Sequence, residues 1–167
     1  MTLRLILTRH AKSSWADPSM DDHDRPLNKR GEKSARAVGK WLAKRGYVPD
    51  QALVSSSERT RQTWAWIAKA FDTAPEATFD PGLFHAEPAA LMDALHKASG
   101  ASVMMIAHNP GIAFFAQGLV SRLPGDSRFE RFPTAATAVI DFDAPEWSQI
   151  AWSTGDVTDL AFARDLI

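Results

Sequence analysis

The order of apolar patterns along the chain is the feature that most constrains its fold. Short apolar runs typical of buried strands alternate with longer segments in which apolar residues recur at helical spacing. The strand-like runs are residues 5–7, 51–56, 102–107, 137–142 and 148–153. The helical segments are residues 32–46, 58–71, 89–99 and 109–123. This alternation predicts an α/β fold: a single three-layer α/β/α domain over residues 1–167, with a mostly parallel sheet and helices on both faces.

Local signals support the boundaries of these elements. Gly46 ends the first helical segment, where a left-handed residue is often needed. Pro110 lies near the start of the fourth segment, where its missing N–H costs nothing. The runs 137–142 and 148–153 come last, and we expect them near an edge of the sheet.

The composition excludes several classes of chemistry. The 167 residues include no cysteine, which excludes disulfides, thiolate metal sites and cysteine nucleophiles. A formal charge of −1 lacks the basic excess of a general nucleic-acid binder, so we expect no nucleic-acid partner. No apolar stretch reaches membrane-spanning length, and residues 1–10 lack the apolar core of a signal peptide. We therefore expect a cytoplasmic protein without a membrane partner.

Three of the predicted strands end in side chains that suit an anion. The pairs are Arg9 and His10, Arg59 and Arg61, and His108 and Asn109. In open α/β sheets, ligands bind where strands end and helices begin. A helix N-terminus with a guanidinium group beside it suits a phosphate. Because Arg59 and Arg61 are two residues apart on a helix, we expect only one of them to reach the pocket.

The chemistry of these side chains indicates phosphoryl transfer. The cation of Arg9 favours a neutral imidazole at His10, and a neutral imidazole is a nucleophile. Phosphoryl transfer depends on positioning and on stabilising negative charge, which arginine and imidazole supply without a metal. Taken singly, each residue also has a structural interpretation: a solvated turn at Arg59, a hydrogen-bonded strand end at His10, and a helix cap at His108.

Two other enzymatic interpretations have weaker support. The motif "DFDAP" at residues 141–145 has the D-x-D pair of aspartate-nucleophile phosphatases, but it lacks their downstream helix pattern. A metal site would draw on the histidines, and none of them has close ligand spacing. These histidines are His10, His23, His85, His96 and His108. We therefore expect no metal and no other cofactor.

Four motifs, in order, resemble one family. The segments "TRHAKSS", "RPLNKRG", "LVSSSERTRQT" and "IAHNPG" are similar to the histidine phosphatase superfamily, which has the phosphoglycerate-mutase-like fold. The motifs span residues 5–111, and "FPTAATAVIDF" resembles the late strand of the family. The closest likeness is to the small bacterial phosphohistidine phosphatases. The Arg-His pair is unspecific alone, whereas the ordered set is highly specific.

The resemblance implies roles for four residues. His10 would be the nucleophile and would be transiently phosphorylated. Arg9, Arg59 and His108 would complete the phosphate pocket. Arg61 falls outside the match.

Other positions follow from their place in the motifs. Ser14 and Asn109 would be secondary phosphate neighbours, and Asn28 would cap the first helix. The chain departs from the wider family at Ala11, where many members have glycine. It also departs at Ala16, near the place of a phosphate-binding asparagine in the mutases.

The position of a general acid bears on the substrate. In the mutases of this family, a glutamate acid lies in the loop that here reads "PGLFHAEPAA". In this chain His85 and Glu87 of that loop are candidate proton donors. The alternative is that the segment is an ordinary polar loop without a catalytic role. An alkoxide leaving group needs such a donor, whereas the imidazole of phosphohistidine leaves already protonated. Trp15, beside the pocket, is a candidate for substrate contact.

The sequence therefore predicts a metal-independent phosphatase that acts through a phosphohistidine intermediate. Its favoured substrate is phosphohistidine in a signalling protein, because a weak acid position favours a phosphoramidate over a phosphate ester. The segment between Arg59 and His108 is also too short for a large lid, and an open pocket suits a side chain presented by another protein. One alternative is a phosphatase or mutase for small phosphate esters. Another is a non-catalytic domain that binds phosphorylated partners. The sequence makes no prediction of oligomeric state.

Overall fold

A computed structural model describes residues 2–167. Six strands form one sheet: β1 (Thr2–Arg9), β2 (Gln51–Ser55), β3 (Ala77–Asp80), β4 (Ser102–Ala107), β5 (Thr137–Asp143) and β6 (Asp156–Ala161). The helices are α1 (Lys29–Lys44), α2 (Glu58–Ala68), α3 (Pro88–His96), α4 (Gly111–Leu119), α5 (Arg128–Arg131) and α6 (Ala163–Leu166). Short 3-10 turns lie at Asp22–Asp24, Pro81–Leu83 and Trp147–Gln149.

The sheet is mostly parallel, as predicted. Its strand order is β3-β2-β4-β1-β5-β6. The pairs β3-β2, β2-β4 and β4-β1 are parallel, and β5 is antiparallel to both of its neighbours. Five of the six strands therefore run in one direction, and β1, β4 and β2 lie side by side in the middle.

Helices cover both faces of the sheet, which explains why the central strands carry continuous apolar runs. On one face, Leu5 and Leu7 of β1 share a buried cluster with residues of α3 and α4. On the other, Ile6 shares a cluster with residues of α1 and α2. The predicted three-layer α/β/α architecture is thereby confirmed.

The predicted strand at residues 148–153 is wrong. Residues 147–149 form a 3-10 turn, because the buried indole of Trp147 is held there by a 2.8 Å hydrogen bond from Nε1 to the carbonyl of Gly100. The last strand is instead β6, a more polar edge strand. The run 137–142 does form a strand, but β5 lies inside the sheet, between β1 and β6.

Two helix boundaries follow the sequence signals, and three helices are shorter than predicted, with α3 ending at His96. The side chain of Asn28 accepts a 2.8 Å hydrogen bond from the N–H of Gly31 and caps α1, and Gly46 follows its end at φ +77°. Helix α2 ends at Ala68. Helix α4 ends at Leu119, because Val120 forms a bridge with Gly155.

Candidate active site

The strand order brings the three polar strand ends together. His10 follows β1, His108 follows β4, and Arg59 lies in the first turn of the helix after β2. Because these three strands are neighbours, the side chains meet in one cleft of about 340 Å³ at the carboxyl ends of the strands. Asn109 and His85 also line this cleft.

The backbone on both sides of His10 is held firmly. Its N–H donates to the carbonyl of Ala107 in β4, and its carbonyl accepts from the N–H of Ala135. The next residue, Ala11, donates its N–H to the hydroxyl of Thr63 on α2 at 3.0 Å. Neighbouring elements thus position the imidazole at the floor of the cleft.

One hydrogen bond determines the tautomer of His10. Its Nδ1 lies 2.7 Å from the carbonyl oxygen of Ala11, and a carbonyl can only accept. Nδ1 therefore carries the proton, which leaves the lone pair of Nε2 free. The ring is only 6% exposed, and burial, followed by the charges of Arg9, Arg59 and Arg25, lowers the pKa of His10 to about 3. At neutral pH this side chain is an uncharged nucleophile.

His108 faces His10 across the cleft, with 5.2 Å between the ring centroids. Burial lowers the pKa of His108 to about 2, and the neighbouring His10 and Arg59 add to the shift. Its Nε2 lies 2.7 Å from the hydroxyl of Ser55 at the end of β2. Its Nδ1 is buried without a hydrogen-bond partner among the described residues.

The two arginines form a cationic pocket without a complete set of partners. Burial lowers the pKa of Arg9 and of Arg59, and for Arg9 the charge of Arg59 is the second cause. The Nε atoms of both side chains are buried and have no partner within residues 2–167. Nδ1 of His108 and Oδ1 of Asn109 are also buried without a hydrogen-bond partner among the described residues. The two arginine nitrogens are donors, and an anion with several oxygens would supply acceptors for them.

Asp22 is the main residue of the cleft that the sequence interpretation missed. Its carboxylate accepts hydrogen bonds from Arg25 at 2.9 Å, from Arg59 at 3.1 Å and from Nε2 of His85 at 3.0 Å. Burial alone would raise the pKa of Asp22, but the hydrogen bond from Arg25 and the charge of Arg59 lower it to about 2. Arg59 also donates to the backbone carbonyl of Asp22 at 2.6 Å.

The cleft mouth adds residues from the segment between β1 and α1. Trp15 is 75% exposed, and the guanidinium of Arg25 stacks on its ring at 3.6 Å from the centroid. Arg25 also donates to the hydroxyl of Ser13 at 2.8 Å. Lys12 lines the same mouth with an exposed side chain. Trp15 was expected beside the pocket and lies there. The rest of this irregular segment has no periodic pattern, so nothing in the sequence indicated that Arg25 reaches the cleft.

Three residues singled out from the sequence lie outside the cleft lining. The hydroxyl of Ser14 accepts a hydrogen bond from the N–H of Ala16 instead. Glu87 is exposed at the start of α3, so His85 is the one of the two candidate acids that reaches the cleft. Arg61 donates to the carbonyl of Ser56 and stacks on Phe79.

The structure does not bring together the residues of the aspartate-nucleophile motif or those of the histidine metal site. Asp141 pairs with Arg4 at 2.8 Å, near the end of β1 opposite to His10. His96 lies 2.9 Å from the carbonyl of Ile150, away from the cleft. Residues 2–167 hold no cluster of three or more acidic, histidine or cysteine side chains that could bind a metal. Within the same range, no helix is long and apolar enough to cross a bilayer.

The buried histidines predict a loss of stability in mild acid. In the unfolded chain His10 and His108 bind protons below pH 6.5, whereas in the folded protein their lowered pKa values keep them neutral. Protons therefore bind preferentially to the unfolded state, and the free energy of unfolding that is present above pH 6.5 is lost as the pH falls towards 3. For two such groups we expect the free energy of unfolding to fall by about 2 kcal/mol between pH 6 and pH 5. Urea titrations in buffers free of phosphate and sulfate measure this. His10→Gln should halve the slope, and an unchanged slope would contradict the protonation states described above.

Neutralising Asp22 should strengthen anion binding. Asp22→Asn removes a negative charge from the cleft but keeps the backbone carbonyl that holds Arg59. We expect orthovanadate, a phosphate mimic, to bind about tenfold more tightly to this variant, since one repulsive charge is lost. Asp24→Asn, at an exposed position whose side chain contacts His23, is the matched control. Weaker binding in Asp22→Asn would instead show that the carboxylate is needed to position Arg59.

The sequence of this chain matches a family model and is similar to several known proteins. Residues 5–84 match the model of the histidine phosphatase superfamily, branch 1. An uncharacterized protein of Mycobacterium tuberculosis is 31% identical over 149 residues, which cover 85% of this chain and 90% of that protein. An uncharacterized chloroplastic protein of Arabidopsis thaliana is 53% identical over 60 residues, 36% of this chain. The match spans only 28% of the plant protein.

Solved structures share the fold over almost the whole chain. SixA of Agrobacterium tumefaciens is 26% identical with a TM-score of 0.79, over 96% of this chain and 97% of that one. The protein histidine phosphatase SixA in complex with tungstate is 21% identical with a TM-score of 0.81, over 99% of this chain and 100% of that one.

Proposed function

The chain belongs to the histidine phosphatase superfamily, and we propose that it is a metal-independent phosphatase that acts through phosphorylated His10. Its proposed substrate is phosphohistidine in a signalling protein of the cytoplasm. Likeness to SixA supports the phosphohistidine substrate, since SixA is named as a protein histidine phosphatase.

The observation that carries the proposal is the state of His10. Its Nδ1–H is held by the carbonyl of Ala11, so Nε2 keeps its lone pair. The unpartnered buried atoms of Arg9, Arg59 and His108 belong to side chains around the same ring. A neutral nucleophile among unsatisfied donors is the arrangement that in-line attack on a phosphoryl group requires.

In the first step, Nε2 of His10 attacks phosphorus and the P–N bond of the substrate breaks. The electron pair of that bond passes to the leaving imidazole. This imidazole leaves neutral, because its other nitrogen already carries a proton. Arg9 and Arg59 donate to the phosphoryl oxygens as negative charge redistributes, and His108 assists through Nδ1.

In the second step, water attacks the phosphorus of phosphorylated His10 and releases inorganic phosphate. The proton of the water passes to solvent or to a base of the cleft, and Nε2 regains its lone pair. His85 is the proposed proton donor where a substrate needs one, since it reaches the cleft and Glu87 does not. Its hydrogen bond to Asp22 orients the ring.

The shape of the cleft mouth supports a protein substrate. Trp15 and His85 are exposed at the rim, so a side chain presented by another protein can enter. Between Arg59 and His108 the chain consists mainly of the rest of α2, β3, the 3-10 turn at Pro81–Leu83, α3 and β4, with no insertion long enough for a large lid.

Phosphate release tests the proposal. The protein is incubated, with EDTA throughout, with a histidine-phosphorylated peptide and with a panel of small phosphate esters. We expect release from the phosphohistidine peptide to exceed release from every ester. Turnover of esters alone would move the substrate to small metabolites. Binding of the phosphopeptide without any turnover would leave a phosphate-binding domain and contradict the enzymatic proposal.

A further inference from the structure

Every exposed side chain of α1 is a cation. The six residues are Lys29, Arg30, Lys33, Arg36, Lys40 and Lys44, and we call them the basic face. The one acidic residue of the helix, Glu32, is partly buried. Within residues 2–167, none of the six forms an ion pair. This concentration of charge is local, since the whole chain carries a formal charge of only −1.

The basic face costs the helix stability. Lys29 and Lys33, Arg36 and Lys40, and Lys40 and Lys44 are like charges four residues apart, which repel each other. Lys29 and Arg30 also lie in the first turn, where the helix dipole disfavours cations. No intramolecular contact of the described residues offsets this repulsion with an acidic side chain. An acidic partner would do so.

A groove runs along the basic face. It has a volume of about 450 Å³, with Lys33, Arg36, Lys40 and Lys44 at its rim. Its floor is apolar and consists of Ala37, Trp41, Leu166 and Ile167. The groove therefore fits an apolar side chain that is flanked by acidic residues.

The basic face is continuous with the catalytic cleft. The N–H of Asn28, the cap of α1, donates to the carbonyl of Lys12 at 3.0 Å. Gly31 packs so closely on the same carbonyl that no side chain would fit. Lys12 lines the cleft, so the basic face begins at the cleft mouth. The 16 residues of α1 extend it by about 24 Å.

Other partners fit this surface less well. A bilayer would require large apolar side chains projecting from the helix, and among the exposed ones of residues 2–167 only Ile167 lies at the groove. Single-stranded nucleic acid would require exposed aromatic rings on which bases stack, and Trp41 is half-buried.

We propose that the basic face of α1 is a docking surface for an acidic segment of the phosphoprotein substrate. The segment lies beside the phosphorylated histidine and is bound in the groove while the phosphoryl group occupies the cleft. This inference rests on the proposed function for its substrate. The docking itself is a separate claim about binding.

Two peptides test the inference. Each carries phosphohistidine near one end, followed by about twelve residues, which reach about 40 Å when extended and so span the basic face. One tail is rich in glutamate with a central leucine, and the other replaces glutamate with glutamine. The Lys33→Glu/Lys40→Glu variant reverses two charges of the basic face. Lys97→Glu/Arg122→Glu reverses two exposed charges elsewhere and is the matched control.

We expect the KM of the wild-type protein to be at least about tenfold lower for the acidic peptide than for the neutral one. The basic-face variant should lose this difference without a change in kcat, and the control variant should keep it. Raising sodium chloride from 50 to 500 mM should also remove the preference in the wild-type protein. Equal KM values for the two peptides, or a preference that survives in the basic-face variant, would overturn the inference.

A binding measurement separates the docking from the chemistry. The acidic peptide without phosphate is labelled, and its Kd is measured by fluorescence anisotropy for the same three proteins. If neither phosphopeptide is hydrolysed but the acidic peptide still binds through the basic face, the proposed function fails and the docking surface stands. Binding to phosphatidylserine vesicles that depends on Lys33 and Lys40, with no peptide preference, would assign the surface to membranes and overturn the inference.

Discussion

Replacing His10 with alanine should lower phosphate release by about 10⁴-fold or more, because the reaction then has no nucleophile. The side chain that is lost is an imidazole whose Nδ1–H is held by the carbonyl of Ala11, which leaves the lone pair of Nε2 free. The residual rate would reflect binding and charge stabilisation by the two arginines. Steady-state phosphate release from the phosphohistidine peptide measures the effect.

The control for this prediction is His96→Ala. His96 is likewise a histidine within hydrogen-bond distance of a backbone carbonyl, but it is half-buried and lies on α3 near Ile150, away from the cleft. We expect His96→Ala to retain activity within about twofold of the wild type, and circular dichroism to show that both variants are folded. His10→Ala with more than a hundredth of the wild-type activity would contradict the nucleophilic role.

Replacing Arg59 with alanine should lower kcat/KM by about 10² to 10³-fold, since a preorganised donor to the transferring phosphoryl group is lost. Arg59→Lys should recover little of this loss. The guanidinium uses two nitrogens to hold Asp22 and leaves Nε without a partner, and an ammonium group cannot match that geometry. Assays of kcat/KM for the phosphohistidine peptide measure both variants.

Arg61→Ala is the matched control for Arg59. It lies on the same turn of α2, but its guanidinium contacts Ser56 and Phe79 outside the cleft. We expect its kcat/KM to stay within about threefold of the wild type. Equal losses in Arg59→Ala and Arg61→Ala would indicate a general effect of helix charge and would contradict a specific phosphate contact.

The fold could be predicted where apolar residues recurred with a strong period and where strands were buried on both faces of the sheet. The runs that became β1, β2 and β4 are buried on both faces, so their apolar character is visible without any partner. The strand β6 was missed because it is a half-exposed edge strand with aspartates at Asp156 and Asp159. The run 148–153 was wrongly predicted as a strand because its apolar residue Ile150 is buried beside a turn and not in the sheet. The neighbouring Trp147 is buried in that turn as well.

The parts of the candidate site that could be predicted are those attached to strand ends. His10, Arg59 and His108 follow three predicted strands, and parallel pairing brings such ends together. Asp22 and Arg25 come from an irregular segment, and Ser55 is a small polar residue within a buried strand. The contact between Asp22 and Arg59 joins residues 37 apart in the chain, and that between His108 and Ser55 joins residues 53 apart, so both depend on tertiary packing. No local pattern reports such contacts.

The central claim is that the phosphoryl group passes through His10, and trapping the intermediate tests it most directly. Excess protein is mixed rapidly with a ³²P-labelled phosphohistidine peptide, quenched in alkali, which preserves phosphohistidine, and mapped by mass spectrometry. We predict label on His10 within a single turnover, followed by its loss as inorganic phosphate appears. Consumption of the peptide without labelled protein, or label on any other residue, would contradict the account.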